Sequence, residues 1–107
     1  MSKLDHTLSA LGDPTRRELL RRLAEHPRRA GELAKGFKIS RPAIAKHARV
    51  LRRAGLIEAR REGRERIYRL APQGRNNVDD LIETLRQVSA FWDAALASFK
   101  KFAEESR

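Results

Sequence analysis

Apolar residues recur every three or four positions along most of this chain and come close to alternating only between Leu56 and Leu70. Leu4, Leu8 and Leu11 fall on one side of a short first helix, which Gly12 stops. Asp13-Pro14 restarts the chain. The carboxylate suits an N-cap, and proline at the first helical position gives up no hydrogen bond. The second helix is predicted to reach about His26, turning Leu19, Leu20, Leu23 and Ala24 inward, and Pro27 ends it. A third helix over Ala30 to Phe37 turns Leu33, Ala34 and Phe37 inward.

After the turn Lys38-Ile39, Ser40 caps a fourth helix that tolerates Pro42 in its first turn and ends at Ala54-Gly55. Steps of about 100° per residue bring Ile44, Ala48 and Leu51 within about 60° of one another. That stripe is expected to be buried. Arg41, Pro42, Ala45, Lys46, Arg49 and Arg53 fill the broad opposite face, and His47 lies at the stripe's edge. Two helices joined by a three- or four-residue turn, the second basic outside, read as a helix-turn-helix over residues 30–54. Residues 57–70 read as a β-hairpin turning at Glu62-Gly63-Arg64, with Tyr68 packed on the helices. Ala71-Pro72-Gln73-Gly74 is the only linker-like stretch, and it is too short to separate domains.

From Asn76 to about residue 104 the chain reads as one long helix. Val78, Leu81, Leu85, Val88, Trp92, Ala95, Phe99 and Phe102 alternate spacings of three and four, and Ile82, Phe91 and Leu96 widen the seam. Such a helix is about 45 Å long, more than a body of roughly 75 residues can cover. A second copy of the chain is the simplest cover, and folding back onto its own core is the competing reading. The expected fold is mainly α with a small β-hairpin, in the order ααααββα, as a single domain over residues 1–107.

Charge sharpens this picture. The formal net charge is +10, unevenly spread. Residues 1–40 carry nine bases and five acids, residues 41–69 ten and three, and residues 76–107 four and six. The excess sits on the fourth helix and the hairpin, as expected for a surface that meets double-stranded DNA. An anionic membrane surface would also attract it, but basic membrane helices usually expose more aromatic residues. With no cysteine there is no disulfide, thiolate metal site or cysteine nucleophile. The N-terminus lacks a signal peptide's apolar stretch, so a cytoplasmic protein is expected. Phosphate loops, H-E-x-x-H and G-x-S-x-G are missing, so the chain does not read as an enzyme.

The runs L-S-A-L-G-D-P-T-R-R-E-L-L at 8–20, G-E-L-A at 31–34, S-R-P-A-I-A-K-H-A-R-V-L-R-R-A-G-L-I at 40–57 and R-E-G-R-E-R-I-Y-R-L at 61–70 resemble the ArsR/SmtB family of winged-helix repressors. The resemblance implies a homodimer built from the first and last helices, with the fourth helix in the major groove. It places Leu4, Leu8, Val78, Leu81, Leu85, Val88, Trp92, Ala95, Phe99 and Phe102 at the dimer interface. Metal-sensing members carry Cys-x-Cys near the third helix, where this chain has Arg29-Ala30-Gly31-Glu32. Others bind zinc through Asp and His pairs on the last helix, which here offers Asp79, Asp80 and Glu83 but no histidine. His6, His26 and His47 lie on different elements. The chain therefore resembles the branch without metal sites, and no cofactor is expected. Ala48 replaces a commoner leucine, so looser packing of the fourth helix is expected.

Among the recognition residues, Arg41 and Lys46 are first choices for base contacts, because Arg can fork onto guanine and both lie in the first two turns. Ala45, small and central, is expected to let the helix sit deep or to touch a thymine methyl, Pro42 belongs to the same DNA-facing side, and Ser40 serves as the cap. His47 has two readings, a packed side chain or a DNA contact. Arg49, Arg52 and Arg53 suit phosphates, and Arg61, Arg64 and Arg66 on the wing suit phosphates or a narrow minor groove. The aromatic seam reads first as dimer core; a cavity between the two long helices for an unidentified small hydrophobic effector is the sharper reading. Non-specific nucleoid packaging, and recruitment of a different protein by the long helix, are the rival functions.

Overall fold

The computed structural model describes residues 1–106. Helix α1 (Lys3–Leu11) opens on a reciprocal cap: Ser2 Oγ accepts the Asp5 amide, and the Asp5 carboxylate accepts the Ser2 amide, both at 3.1 Å. In α2 (Pro14–Glu25) the Asp13 carboxylate accepts the Arg16 amide at 3.1 Å, the cap its sequence predicts. A two-residue strand, β1 (Arg28–Arg29), then precedes α3 (Ala30–Ala34). This helix is shorter than its expected span to Phe37, because Gly36 takes the left-handed φ of +82° and breaks the turn. The connection to α4 (Arg41–Arg53) therefore covers residues 35–40, more than a tight helix-turn-helix turn.

Strands β2 (Ile57–Glu62) and β3 (Glu65–Leu70) form the hairpin, and Gly63 takes a φ of +64° at the first position of its two-residue loop. β1 pairs antiparallel with the outer side of β3, Arg28 opposite Tyr68, giving the order β1-β3-β2. The sheet thus has three strands where the sequence predicts two. Two residues are too few to leave a period in the sequence.

The core lies between α2, α3, α4 and the base of the sheet. Leu19, Leu33 and Leu51 are its largest fully buried side chains, and Tyr68 closes it from the sheet side. The buried stripe of α4 is Ile44, Ala48 and Leu51, as the 100° projection predicts. A cavity of about 80 Å³ lies beside Ala48, between α3, α4 and Tyr68. On α2, Leu19 and Leu23 are buried and Leu20 half-buried, whereas Ala24 is exposed. On α1 the buried residues are Thr7 and Ala10; Leu4 and Leu11 are half-covered and Leu8 is bare.

The C-terminus of α4 is joined to the long helix α5 (Gly74–Glu105) by a tight contact. Gly55, at φ +71°, lets the Gly55 amide reach the Arg52 carbonyl and the Leu56 amide reach the Leu51 carbonyl. The Ala54 carbonyl accepts the buried Asn77 side-chain amide at 2.9 Å. Gly74 sits so close that a Cβ there would stand 3.0 Å from Leu56 Cα and 3.1 Å from the Gly55 carbonyl oxygen. The stretch before α5 is therefore no linker: Ala71 and Gly74 are buried.

Past Leu81, which is only 7% exposed, α5 leaves the body. The molecule measures 73 × 29 × 26 Å, and the projecting helix accounts for the long dimension. Leu85, Val88, Trp92 (66% exposed), Phe99 (71%) and Phe102 stand open on it, with Ala95. Leu81 and half-buried Val78 are the only members of the heptad seam covered by the rest of the chain.

Two substitutions test the α4–α5 junction. Replacing a glycine by alanine where the backbone is compatible ordinarily stabilises by about 0.4–1 kcal/mol. Gly74→Ala is expected to destabilise instead, by about 1–3 kcal/mol, because the new methyl meets backbone. Asn77→Ala orphans the buried Ala54 carbonyl and is expected to cost about 1–3 kcal/mol. Urea unfolding followed by circular dichroism measures both.

Candidate nucleic-acid interface

The exposed face of α4 begins at its capped N-terminus, where Ser40 Oγ accepts the Ala43 amide at 3.3 Å. Arg41, Pro42, Ala45, Lys46, Arg49, Arg52 and Arg53 are all exposed. No acid lies on this helix. Among the described residues none of its five Lys or Arg side chains makes an ion pair. The helix therefore offers an uncompensated cationic face, with small residues at its centre.

The wing sorts its charges by register. Glu62 faces Glu65 across β2 and β3, and Arg29 bridges the two at 3.8 and 3.0 Å. Arg69 pairs with Glu58 at 2.9 Å, and Arg60 with Glu62 at 3.6 Å. Arg61 stands directly opposite Arg66, and among the described residues no acid lies within ion-pair distance of either. Like charges facing each other across a ladder are destabilising, so this pair costs the isolated protein something that an anion would relieve. Arg64 at the hairpin tip is likewise exposed and unpaired among the described residues.

His47 does not belong to this face. Its ring is half-buried and turned toward α2, with Nδ1 3.1 Å from an Arg16 guanidinium nitrogen and 3.9 Å from the Asp13 carboxylate. Arg16 has only N–H groups to give, so the contact needs a bare Nδ1 and places the ring proton on Nε2. Partial burial opposes ionisation of Asp13, but the Arg16 amide it caps and the Arg16 charge outweigh that and hold the carboxyl below its ordinary value.

Three arginines of α2, Arg16, Arg17 and Arg22, which sequence reasoning left unassigned, are structural clamps. Arg16 also donates to the Ser9 and Ala10 carbonyls at 2.8 Å, and Arg17 to that of Leu11 at 2.8 Å, so both close the end of α1. Arg22 donates to the Leu33 carbonyl at 3.1 Å and stacks over Phe37, 4.2 Å from the ring centre, closing the end of α3. Their spacing in sequence gives one hint: each precedes or follows a helix end that lacks its own basic residue.

Asp79 and Glu83 of α5 lie 3.9 Å from Arg75 and Arg86 on the same helix. Among the described residues no three His, Asp or Glu side chains converge as metal ligands would. No helix among them is long and apolar enough to cross a membrane.

Residues 13–59, which span α2 to β2, match the model of a family described as bacterial regulatory protein, arsR family. Over 100 residues the chain is 36% identical to the HTH-type transcriptional regulator Rv2034 of Mycobacterium tuberculosis, covering 94% of this chain and 88% of that protein. It is also 36% identical to the transcriptional repressor SdpR of Bacillus subtilis, over 63% of this chain and 74% of SdpR. Among solved structures, an ArsR-like transcriptional regulator from Rhodococcus superposes with a TM-score of 0.70 at 37% identity, covering 94% of this chain and 92% of that one. A homodimeric winged helix-turn-helix DNA-binding domain from Mycobacterium bovis superposes at 0.62 with 26% identity, over 88% of this chain and 82% of its own. The three-stranded winged fold, the capped basic helix and these likenesses agree: the chain belongs to the arsR family of winged helix-turn-helix transcriptional regulators.

Proposed function

We propose that this protein is a homodimeric, sequence-specific repressor that acts in the cytoplasm on a pseudo-palindromic operator. The observation that carries the reading is the unpaired cationic face of α4, in a molecule whose other arginines are mostly clamped to carbonyls or carboxylates. A helix about 10–12 Å across with its side chains fits a major groove about 12 Å wide. Arg41 and Lys46 then address base edges from the first two turns, while Pro42 and Ala45 allow close approach. Arg49 and Arg52 lie further along and hold phosphates, as do Arg61, Arg64 and Arg66 on the wing. In a two-fold dimer the two α4 helices enter successive major grooves on one face of the duplex, about 34–36 Å apart. Repression follows where such a site overlaps a promoter, and relatives named as repressors, SdpR among them, support that sign. The protein acts by occupying DNA, with no reaction catalysed.

Fluorescence anisotropy on the duplex upstream of the protein's own gene, at about 150 mM salt with excess random duplex, tests the reading. Tight binding that survives the competitor is expected. Loss of binding to the competitor, repeated after selection from a random duplex library, would instead identify a non-specific nucleoid protein.

Two variants separate reading from holding. Lys46→Ala is expected to weaken operator binding by about 1–3 kcal/mol and to relax preference at one base position, with little change on random duplex. Arg61→Thr is expected to weaken both duplexes alike and to flatten the salt slope by about 0.9. Removing one of two facing arginines should also raise the melting temperature of the free protein, which scanning calorimetry reads.

A further inference from the structure

One guanidinium ties the middle of α4 to the helices packed behind it. Arg16 donates from Nε to the Ala10 carbonyl and from Nη2 to the Ser9 carbonyl, both at 2.8 Å. Its backbone amide is held in turn by the Asp13 carboxylate at 3.1 Å. So anchored, it sets Nη1 3.1 Å from His47 Nδ1, halfway along α4. The other edge of the same helix is loosely filled. By the 100° step, His47 lies about 40° beyond Leu51 at one edge of the buried stripe, and Ala45 about 60° beyond Ala48 at the other. The cavity of about 80 Å³ lies at that second edge, lined by Arg41, Ala45 and Ala48 of α4 and by Ala30, Gly31 and Ala34 of α3. A void withholds the contacts that would resist movement into it, so apolar packing leaves α4 room to roll toward α3.

We infer that the Arg16–His47 contact is a strut that sets the roll of α4, which makes Arg16 and His47 positioning residues for base reading although neither touches DNA. The strut rests on the sequence-specific reading proposed above and goes beyond it by assigning what aims Arg41 and Lys46. Side chains widen a helix to about 10–12 Å, so a roll of about 20° moves their tips by about 2 Å, enough to break a hydrogen bond to a base edge. A charge facing a phosphate loses little over the same distance, because Coulomb attraction falls only gradually. Register on the bases therefore depends on the strut, and the general hold on DNA does not. The other polar ties cannot replace it. Ser40 caps the first turn through the Ala43 amide, and Asn77 binds the Ala54 carbonyl at the far end. Both act on backbone atoms close to the helix axis, where they resist roll weakly. His47 acts from the rim of the helix and at its middle, and its side chain is only 22% exposed, so water competes poorly for the contact.

Amide side chains separate the two ring nitrogens. In H47N the amide oxygen stands where Nδ1 stood and still accepts from Arg16; in H47Q the amide reaches where Nε2 stood; H47L offers no acceptor. The full chain is used throughout, and the operator is the duplex that wild type selects from a random library. Fluorescence anisotropy then gives each variant's affinity for that duplex and for random duplex. H47L is expected to lower the operator-over-random ratio by about fivefold or more, the discrimination carried by one base contact, with random-duplex affinity unchanged. H47N is expected to match wild type. R16K, whose ammonium cannot span Ser9, Ala10 and His47 together, is expected to follow H47L. Circular dichroism checks folding, and H47Q, with the same expected loss, replaces H47L if that variant unfolds. A ratio kept in H47Q and lost in H47N overturns the strut in favour of a direct DNA contact through Nε2. An unchanged ratio in H47L overturns it and leaves the sequence-specific reading standing, as do equal losses on both duplexes. A wild type that selects no sequence overturns that reading itself, and the strut with it.

Discussion

The hydrogen bond from the Asn77 side chain to the Ala54 carbonyl, with Gly55 and Gly74 in backbone contact around it, fixes the angle between α4 and α5. A helix C-terminus leaves its last carbonyls without partners. Two of these are closed by the turn at Gly55, and the Ala54 oxygen is closed by a residue of the next helix. The stabilisation from one such bond is modest, about 1 kcal/mol. Its geometric effect is larger, because a buried unsatisfied carbonyl penalises any other placement of α5. The missing side chain at Gly74 removes the remaining freedom by letting α5 sit against the Gly55–Leu56 backbone. The helix that would meet DNA and the helix that would meet a partner thus turn as one body. In a dimer, the distance between the two reading helices is then set by how the two long helices pair.

The same economy governs the arginines. Net charge alone treats every Lys and Arg as a candidate for DNA, but the structure divides them by what lies within reach. On α2, the acids Glu18 and Glu25 stand one turn from Arg21 and Arg22, and the ends of α1 and α3 present carbonyls to Arg16, Arg17 and Arg22. The guanidiniums of Arg16, Arg17 and Arg22 close helix ends, where their charge also suits the negative pole of the helix. On α4 no acid occurs at the three- or four-residue spacing that would neutralise its cations. On the wing, acids face acids and take Arg29 between them, which leaves Arg61 opposite Arg66.

Much of this was legible in the sequence, for identifiable reasons. The stripe of Ile44, Ala48 and Leu51 follows from helical period alone, and the caps at Asp13 and Ser40 follow from short polar side chains set before proline-containing first turns. The long seam is legible because its period persists far beyond one turn. What escaped depends on contacts between segments distant in sequence. Strand β1 exists only because β3 lies beside it, and α3 stops early because Gly36 adopts a left-handed turn that its identity permits but does not require. Asn77 looks like any polar residue on a helix until α4 is placed 23 positions upstream. His47 sits at the edge of a stripe, where a rotation of a few tens of degrees decides between groove and core; Arg16, 31 residues away, decides it.

The molecule is left with two uncompensated surfaces, and they differ in how long each can wait for its partner. The cations of α4 and the wing are fully hydrated and screened by salt within about 8–10 Å, so leaving them bare costs little between encounters. The apolar arm has no such solvent. Contiguous exposed side chains from Leu85 to Phe102, among them Trp92 at 66% and Phe99 at 71% exposure, carry a cost proportional to area that salt does not reduce. Two orders of assembly are conceivable, and this asymmetry selects one. In the homodimer proposed above, the arms find their cover first and keep it, in a contact insensitive to ionic strength. DNA comes second, in a contact that salt weakens steeply because it exchanges phosphate counterions for arginines. On the proposed function, a regulator that leaves its operator yet remains assembled needs this division between a permanent apolar contact and a reversible ionic one.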